Sequence, residues 1–265
     1  MIQYGISLPP FGHLSDPHVL VDVAATAEEN GWHGVFLWDH LLRPDEEPPG
    51  VTDPWVMLTA IAAATTRIRI GPLITPVARR RPLKLAREAA TLDVYSRGRV
   101  TLGLGLGVDA GGELTRTGEE SEPKIQGAKL SEGVGLLDRL LRGEHIVHHG
   151  TYYTLDGITL IPTGAQRPRI PFWLAARGHA LVPVRRAAKY DGLALLAVSP
   201  DRFDEVVECV HEERGNIDGF DFVVWANPDH PIEEYERRGA TWVIHEMRPH
   251  HSLDQVMTVI TSTVG

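Results

Sequence analysis

The stretch from Arg67 to Gly107 reads RIRIGPLITPVARRRPLKLAREAATLDVYSRGRVTLGLGLG, and its reading decides the architecture. Its first part, Arg67 to Ile74, is a short apolar run. A helical pattern opens at Pro82 and carries Leu85, Ala89 and Leu92 at i, i+4 and i+7. A second apolar run, Val100 to Leu104, follows between glycines. Two strand-like runs separated by a full helix form a parallel pair, because antiparallel neighbours need only a short turn.

The same unit repeats outward in both directions. Upstream lie the runs Ile2 to Leu8 and Gly34 to Trp38, and downstream Ile170 to Ala175, Gly192 to Val198, Phe220 to Ala226 and Thr241 to Met247. Asp16-Pro17 and Asp53-Pro54 each read as a helix cap followed by proline at the first helical position. Further helices are expected over Pro123–Arg142, up to Tyr190, and over Pro200–Arg214, Pro231–Arg238 and Leu253–Ile260. Eight strand–helix units in 265 residues fit a (β/α)8 TIM barrel, which typically takes about 250 residues. An open, doubly wound sheet is the competing arrangement. Residues 1–265 read as a single domain, interrupted at about 144–169. There His145–His149, Tyr152–Leu155 and Ile158–Ile161, parted by Gly150 and Asp156-Gly157, suggest a hairpin-like insertion after the fourth unit.

Charge and composition exclude several functions. Lys and Arg number 26 against 35 Asp and Glu, a net charge of −9 that argues against nucleic acid or an anionic membrane as partner. The single cysteine, Cys209, excludes an internal disulfide and an all-cysteine metal site, and its helical setting suggests core filling. No secretory pattern opens the sequence and no apolar run is long enough to span a bilayer, so a cytoplasmic protein is expected. The thirteen histidines show neither H-x-x-x-H on a helix nor zinc spacing with cysteine, so no metal site is expected.

In a parallel barrel, functional groups come from the C-terminal strand ends. That rule nominates Pro9-Pro10, Trp38-Asp39-His40, Leu73-Ile74-Thr75, Gly105 to Asp109, Ala175 to Gly178 and Glu246 to Arg248. His40 is suited to acid–base work near neutral pH, or is simply a loop histidine bonded to backbone. Neighbouring strand residues point to opposite sides, so Asp39 need not orient it. Gly103 to Gly107 has the spacing G-x-G-x-G. It lacks the dinucleotide fingerprint but allows backbone to approach a flat ligand, unless it is only a turn. Arg79-Arg80-Arg81 precedes the helix at Pro82, where cations oppose the helix dipole. The run reads as an anion site beside free N–H groups, or as a solvated charge cluster.

With these residues in view, the sequence resembles the bacterial luciferase-like flavin oxidoreductases, particularly their deazaflavin-dependent branch. The segment EENGWHGVFLWDH from Glu28 to His40 carries the resemblance, as do Arg67 to Gly107, LSEGVGLLDRLLRGEHIVHHGTYY, PRIPFWLAARGHALVPVRRAAKYDG and GATWVIHEMRP. The resemblance implies a luciferase-like (β/α)8 barrel that binds coenzyme F420, or alternatively FMN, at its C-terminal mouth. It implies that His40 donates or accepts a proton at the flavin edge. Ile74 would follow a non-prolyl cis peptide and form a bulge behind the ring. Gly105 and Gly107 would lie beneath the cofactor, with Asp39, Leu73 and Thr75 beside them. Ala176, Arg177, Gly178 and His179 would hold its phosphate. Some deazaflavin dehydrogenases have a glutamate directly after the glycine matching Gly107; here Val108 stands there and Asp109 follows. The expected function is a flavin-dependent oxidoreductase or monooxygenase acting on a small organic substrate, free of metal, with self-association as a homodimer in view. The alternatives are FMN-dependent oxygenation, a metal-dependent barrel hydrolase and a non-catalytic barrel.

Overall fold

The computed structural model describes residues 2–42, 50–178, 180–227 and 229–262. The chain begins with β1 (Gln3–Leu8), α1 (Pro17–Glu29), β2 (Gly34–Leu37), α2 (Pro54–Ala64), β3 (Arg69–Pro72), β4 (Thr75–Pro76), α3 (Pro82–Tyr95) and β5 (Leu102–Gly105). It continues with α4 (Pro123–Leu141), the pair β6 (His145–His149) and β7 (Thr154–Thr159), β8 (Phe172–Arg177), α5 (Leu181–Ala187), β9 (Gly192–Leu196) and α6 (Pro200–Arg214). β10 (Asp221–Trp225), α7 (Ile232–Arg237), β11 (Trp242–Glu246) and α8 (Leu253–Thr261) complete it.

The helix starts follow the chemistry of their caps. Asp16 Oδ1 accepts from the His18 N–H at 2.8 Å, and Asp53 Oδ1 accepts from the Trp55 and Val56 N–H groups, both at 2.9 Å. Ser252 and Gln255 close a reciprocal capping box at α8. At α3 the cap position is Arg81, whose side chain makes no capping bond.

All pairings in the large sheet are parallel, in the order β3-β2-β1-β11-β10-β9-β8-β5-β4. The ends meet through a parallel bridge between Ile70 and Val100, with the Ile70 N–H donating to Arg99 O at 3.0 Å and the Thr101 N–H to Ile70 O at 2.9 Å. This closes the barrel and excludes the open sheet. The backbones are so close there that a Cβ on Gly71 would lie 1.8 Å from Thr101 O.

Two local expectations change. The run Arg67 to Ile74 is not one strand: β3 pairs with β2, and β4 beyond it pairs with β5, with the Leu73–Ile74 peptide cis between them. Asp156-Gly157 is not a turn either. Both residues lie within β7, whose antiparallel pairing with β6 absorbs an irregularity between Ile146 and His148.

Two apolar layers hold the barrel. Between strands and helices lies the larger, which includes Leu20, Leu58, Leu85, Leu137, Phe203 and Cys209. Inside the barrel, Phe36, Leu73, Trp173, Ala194, Val223, Trp242 and Ile244 fill the lumen. Trp173 is the centre of this plug, with ring centroids 5.2 Å from both Phe36 and Trp242. Its indole N–H donates to Asp221 Oδ2 at 2.9 Å at the start of β10. Burial pushes the Asp221 carboxyl upward, against the Trp173 and Thr241 hydrogen bonds.

Candidate functional site

Parallel strands deliver all their C-terminal ends to one rim. His40 lies just beyond β2, Ile74 beside β4, Gly105 at the end of β5, Arg177 at the end of β8, Trp225 at the end of β10 and Glu246 at the end of β11. Leu73, one residue before Ile74, points inward and caps the lumen plug.

His40 takes its orientation from a residue 73 positions away. Its Nδ1 lies 2.9 Å from Glu113 Oε1, while the Leu41 N–H donates to Glu113 Oε2 at 2.8 Å. Arg79 Nη1 is 3.0 Å from that same Oε2, and the Glu113 side chain is fully buried. Burial raises the Glu113 carboxyl, but the bonds from His40 and Leu41 and the charges of His40 and Arg79 together hold it below the usual carboxylate range. An ionised carboxylate only accepts, so Nδ1 of His40 carries a proton toward it. The ring's Nε2 has no hydrogen-bond partner among the described residues and is the nitrogen free to exchange a proton. Phe11 and Trp38 flank the ring at centroid distances of 5.8 and 6.0 Å.

Asp39 faces the other way. Its carboxylate accepts from Thr75 Oγ1 at 2.8 Å, Trp55 Nε1 at 3.3 Å, Arg79 Nη2 at 2.9 Å, and Arg80 Nη2 at 2.8 and 2.7 Å. Arg79 Nη2 also donates to the Asp39 carbonyl at 3.0 Å. The side chains of Asp39 and Thr75 are thus committed to this cluster. The expected anion site at Arg79–Arg81 is corrected for the same reason: Arg79 and Arg80 neutralise the buried Asp39 and Glu113, and only Arg81 is exposed. A local charge run cannot show which of its members fold inward.

Gly105 forms a low shelf between Ile74 and Ala175, where a Cβ would lie 2.8 Å from Ile74 Cγ2 and 3.2 Å from Ala175 Cβ. Gly107 has φ +83° and passes against Pro76. Ala176 is buried, whereas Arg177 and Gly178 are exposed at the rim; His179 lies outside the described residues. Across the barrel, the Trp225 indole N–H is buried and has no hydrogen-bond partner among the described residues. Such an orphan donor is uncommon and calls for an acceptor from a ligand or water.

Glu113 was visible in sequence only as an unassigned acid; its pairing with His40 spans the loop after β5. Asp109 does not take that place, because it accepts from the Leu114 and Thr115 N–H groups at 2.7 and 3.2 Å and from Thr115 Oγ1 at 2.8 Å. The insertion histidines also have local partners: His145 meets Thr159 Oγ1 and His148 meets Glu132. Among the described residues no three His, Cys, Asp or Glu side chains converge as metal ligands, and no helix is long and apolar enough to cross a membrane.

Glu113→Gln is expected to lower turnover roughly 10-fold or more, because the neutral amide no longer holds the histidine's proton distribution. The substitution also tests a linkage. A carboxyl depressed in the folded state adds stability above its unfolded pKa, and that stability is lost as pH falls through the folded value. Thermal unfolding across the acid range should therefore show a steeper loss in the wild type than in the Gln variant; parallel curves would refute the assignment.

A closed parallel barrel with a histidine–glutamate pair at its C-terminal rim is of the (β/α)8 barrel class. More narrowly, the chain belongs to the luciferase-like monooxygenase family, whose model matches residues 3–228. It is 35% identical over 181 residues to an F420-dependent glucose-6-phosphate dehydrogenase of Microbacterium testaceum, covering 67% of this chain and 51% of that one. The chain thus spans about half the length of the curated relatives it matches. Among solved structures it is similar to an F420-dependent secondary alcohol dehydrogenase in complex with an F420–acetone adduct (TM-score 0.84, 18% identity, 99% and 98% of the two chains). It is also similar to the coenzyme F420-dependent tetrahydromethanopterin reductase of Methanopyrus kandleri (TM-score 0.80, 18% identity, 99% and 98%).

Proposed function

We propose that the chain is an F420-dependent oxidoreductase that moves hydride between the coenzyme and a small organic molecule at the barrel mouth. The observation that carries this reading is the pairing of a proton-exchanging His40 Nε2 with a shelf low enough for a flat ring. Relatives and structural neighbours named for F420 support the same coenzyme.

The residues present fit such a group. Ile74, Gly105 and Ala175 would hold one face of the ring, with Gly107 below it, and the orphan Trp225 N–H would meet an oxygen or nitrogen acceptor. Arg177, exposed and without an ion pair among the described residues, and Gly178 would lie toward the coenzyme's charged tail. When bound, the deazaflavin supplies or accepts hydride at its central ring. His40 then takes the substrate's hydroxyl proton on Nε2 in oxidation, or returns it in reduction, while Nδ1–H stays with Glu113. Phe11 and Trp38 flank the imidazole that carries that nitrogen.

Parallel titrations with F420 and FMN, read by absorbance and fluorescence, test the proposal. Saturable F420 binding with little FMN binding is expected. Saturation by FMN alone would replace hydride transfer with oxygen chemistry, and binding of neither would overturn the reading.

A further inference from the structure

On the outside of the barrel, α4, α5 and α6 line an open cavity of about 400 Å³ whose lining includes Ser131, Arg185, Arg186, Lys189, Tyr190 and Glu213. Its charge is unlike that of the chain as a whole, which carries a net −9. Arg185 Nε is paired with Glu213 Oε1 at 3.1 Å, so those two charges cancel. Arg186 and Lys189 remain, and neither has a carboxylate within ion-pair distance among the described residues.

Arg186 is more weakly held than the buried and half-buried arginines Arg79, Arg80, Arg169 and Arg99. Arg79 and Arg80 meet Asp39, and Arg169 meets Asp138 and Asp191. Arg99 has no such acid, but it donates to Ser96 O, Thr65 Oγ1 and O, Ile68 O and Ala62 O. For Arg186 the corresponding bond is one long contact of 3.5 Å from Nη2 to Gly127 O. Its burial lowers the guanidinium pKa, which marks the cost of holding this charge without a counter-charge. The carboxylate that lines the cavity, Glu213, is taken by Arg185 and not by Arg186 or Lys189.

We propose that this cavity is a binding site for a phosphate group, held by Arg186 and Lys189, with the Tyr190 hydroxyl available to its oxygens; the Ser131 hydroxyl at its edge donates to Gly127 O at 2.9 Å. Two uncompensated cations match a dianion better than a single carboxylate, and a guanidinium fork suits its oxygens. The cavity has room for a small molecule carrying the group as well as for the free ion. It lies in the outer helical layer and does not share residues with the His40 rim, so this inference is independent of the coenzyme assignment.

Titration calorimetry of the full chain with inorganic phosphate and with glycerol 3-phosphate, at ionic strength fixed with sodium chloride, tests it. One saturable site is expected, weakened roughly 10-fold or more by Arg186→Gln and by Lys189→Gln. Lys84→Gln, on the far α3 face, should leave the affinity unchanged. Tighter binding of glycerol 3-phosphate identifies a phosphorylated small molecule as the occupant; equal affinities identify the phosphate ion. Absence of saturable binding by both ligands, or full affinity in the Arg186 and Lys189 variants, overturns the proposal. The exposed Lys189 keeps the test decisive if the Arg186 variant does not fold.

Discussion

His40→Ala is expected to reduce turnover by roughly 10²-fold or more, the usual size of a lost acid–base contribution. Among the described residues, the imidazole's hydrogen bond is to Glu113 alone, leaving Nε2 for the substrate. Deleting the ring therefore removes the proton exchanger and leaves the ligand shelf at Ile74, Gly105 and Ala175 in place. Coenzyme affinity measured by titration should be nearly unchanged. The fold should survive too, because Glu113 retains the Leu41 N–H and the Arg79 guanidinium. Steady-state and binding measurements on one preparation separate the two effects. Turnover equal to wild type would make His40 a structural residue held by Glu113, and a large loss of coenzyme affinity would move it to the binding surface.

Asp39→Ala should cost about 3–5 kcal/mol of folding stability, the range for deleting one partner of a buried charge pair. The reason is geometric. Asp39 is the common acceptor for two guanidiniums, a threonine hydroxyl and an indole N–H, and its side chain is fully buried. Without it, among the described residues, Arg80 keeps Glu88 at 3.9 Å and the Trp55 ring at 5.7 Å, while Arg79 keeps Glu113. For a chain of this size, each kcal/mol corresponds to roughly 2–4 °C in the midpoint. A depression of about 10 °C is the expected reading in a thermal melt. Asp39→Asn, which preserves shape and some acceptor capacity, should fall between the two. A loss below about 1 kcal/mol would mean that water replaces the carboxylate and that the cluster is not the frame of the rim.

The sequence exposed the repeating architecture because local signals set it. Asp16-Pro17 and Asp53-Pro54 mark helix starts through bonds made within three residues, and the apolar run Val100 to Leu104 is buried on both faces in β5. The rim was legible for a related reason: strand ends follow from strand order. What could not be read were the partnerships across the rim. Nothing local connects His40 with Glu113 or Asp39 with Arg80, which meet only when the loops after separate strands converge. The same limit made the arginine run look like a surface feature. The split of the third strand was also hidden, since its two halves pair with different neighbours. Asp156-Gly157 misled in the opposite direction, because a strong turn signal was overridden by continued pairing with β6.

The aromatic plug of Phe36, Trp173 and Trp242 makes the barrel a vessel stoppered at one end. Two ligands sharing its mouth must use the same doorway, so loading and unloading follow a last-in, first-out rule. The deeper occupant arrives first, and the outer one blocks its departure. Under the proposed function, with the coenzyme as the deeper ligand, coenzyme-first addition is the expected kinetic order. On that reading, excess substrate that enters before the coenzyme would form a dead-end complex, and inhibition at high substrate is the expected companion of a sealed lumen.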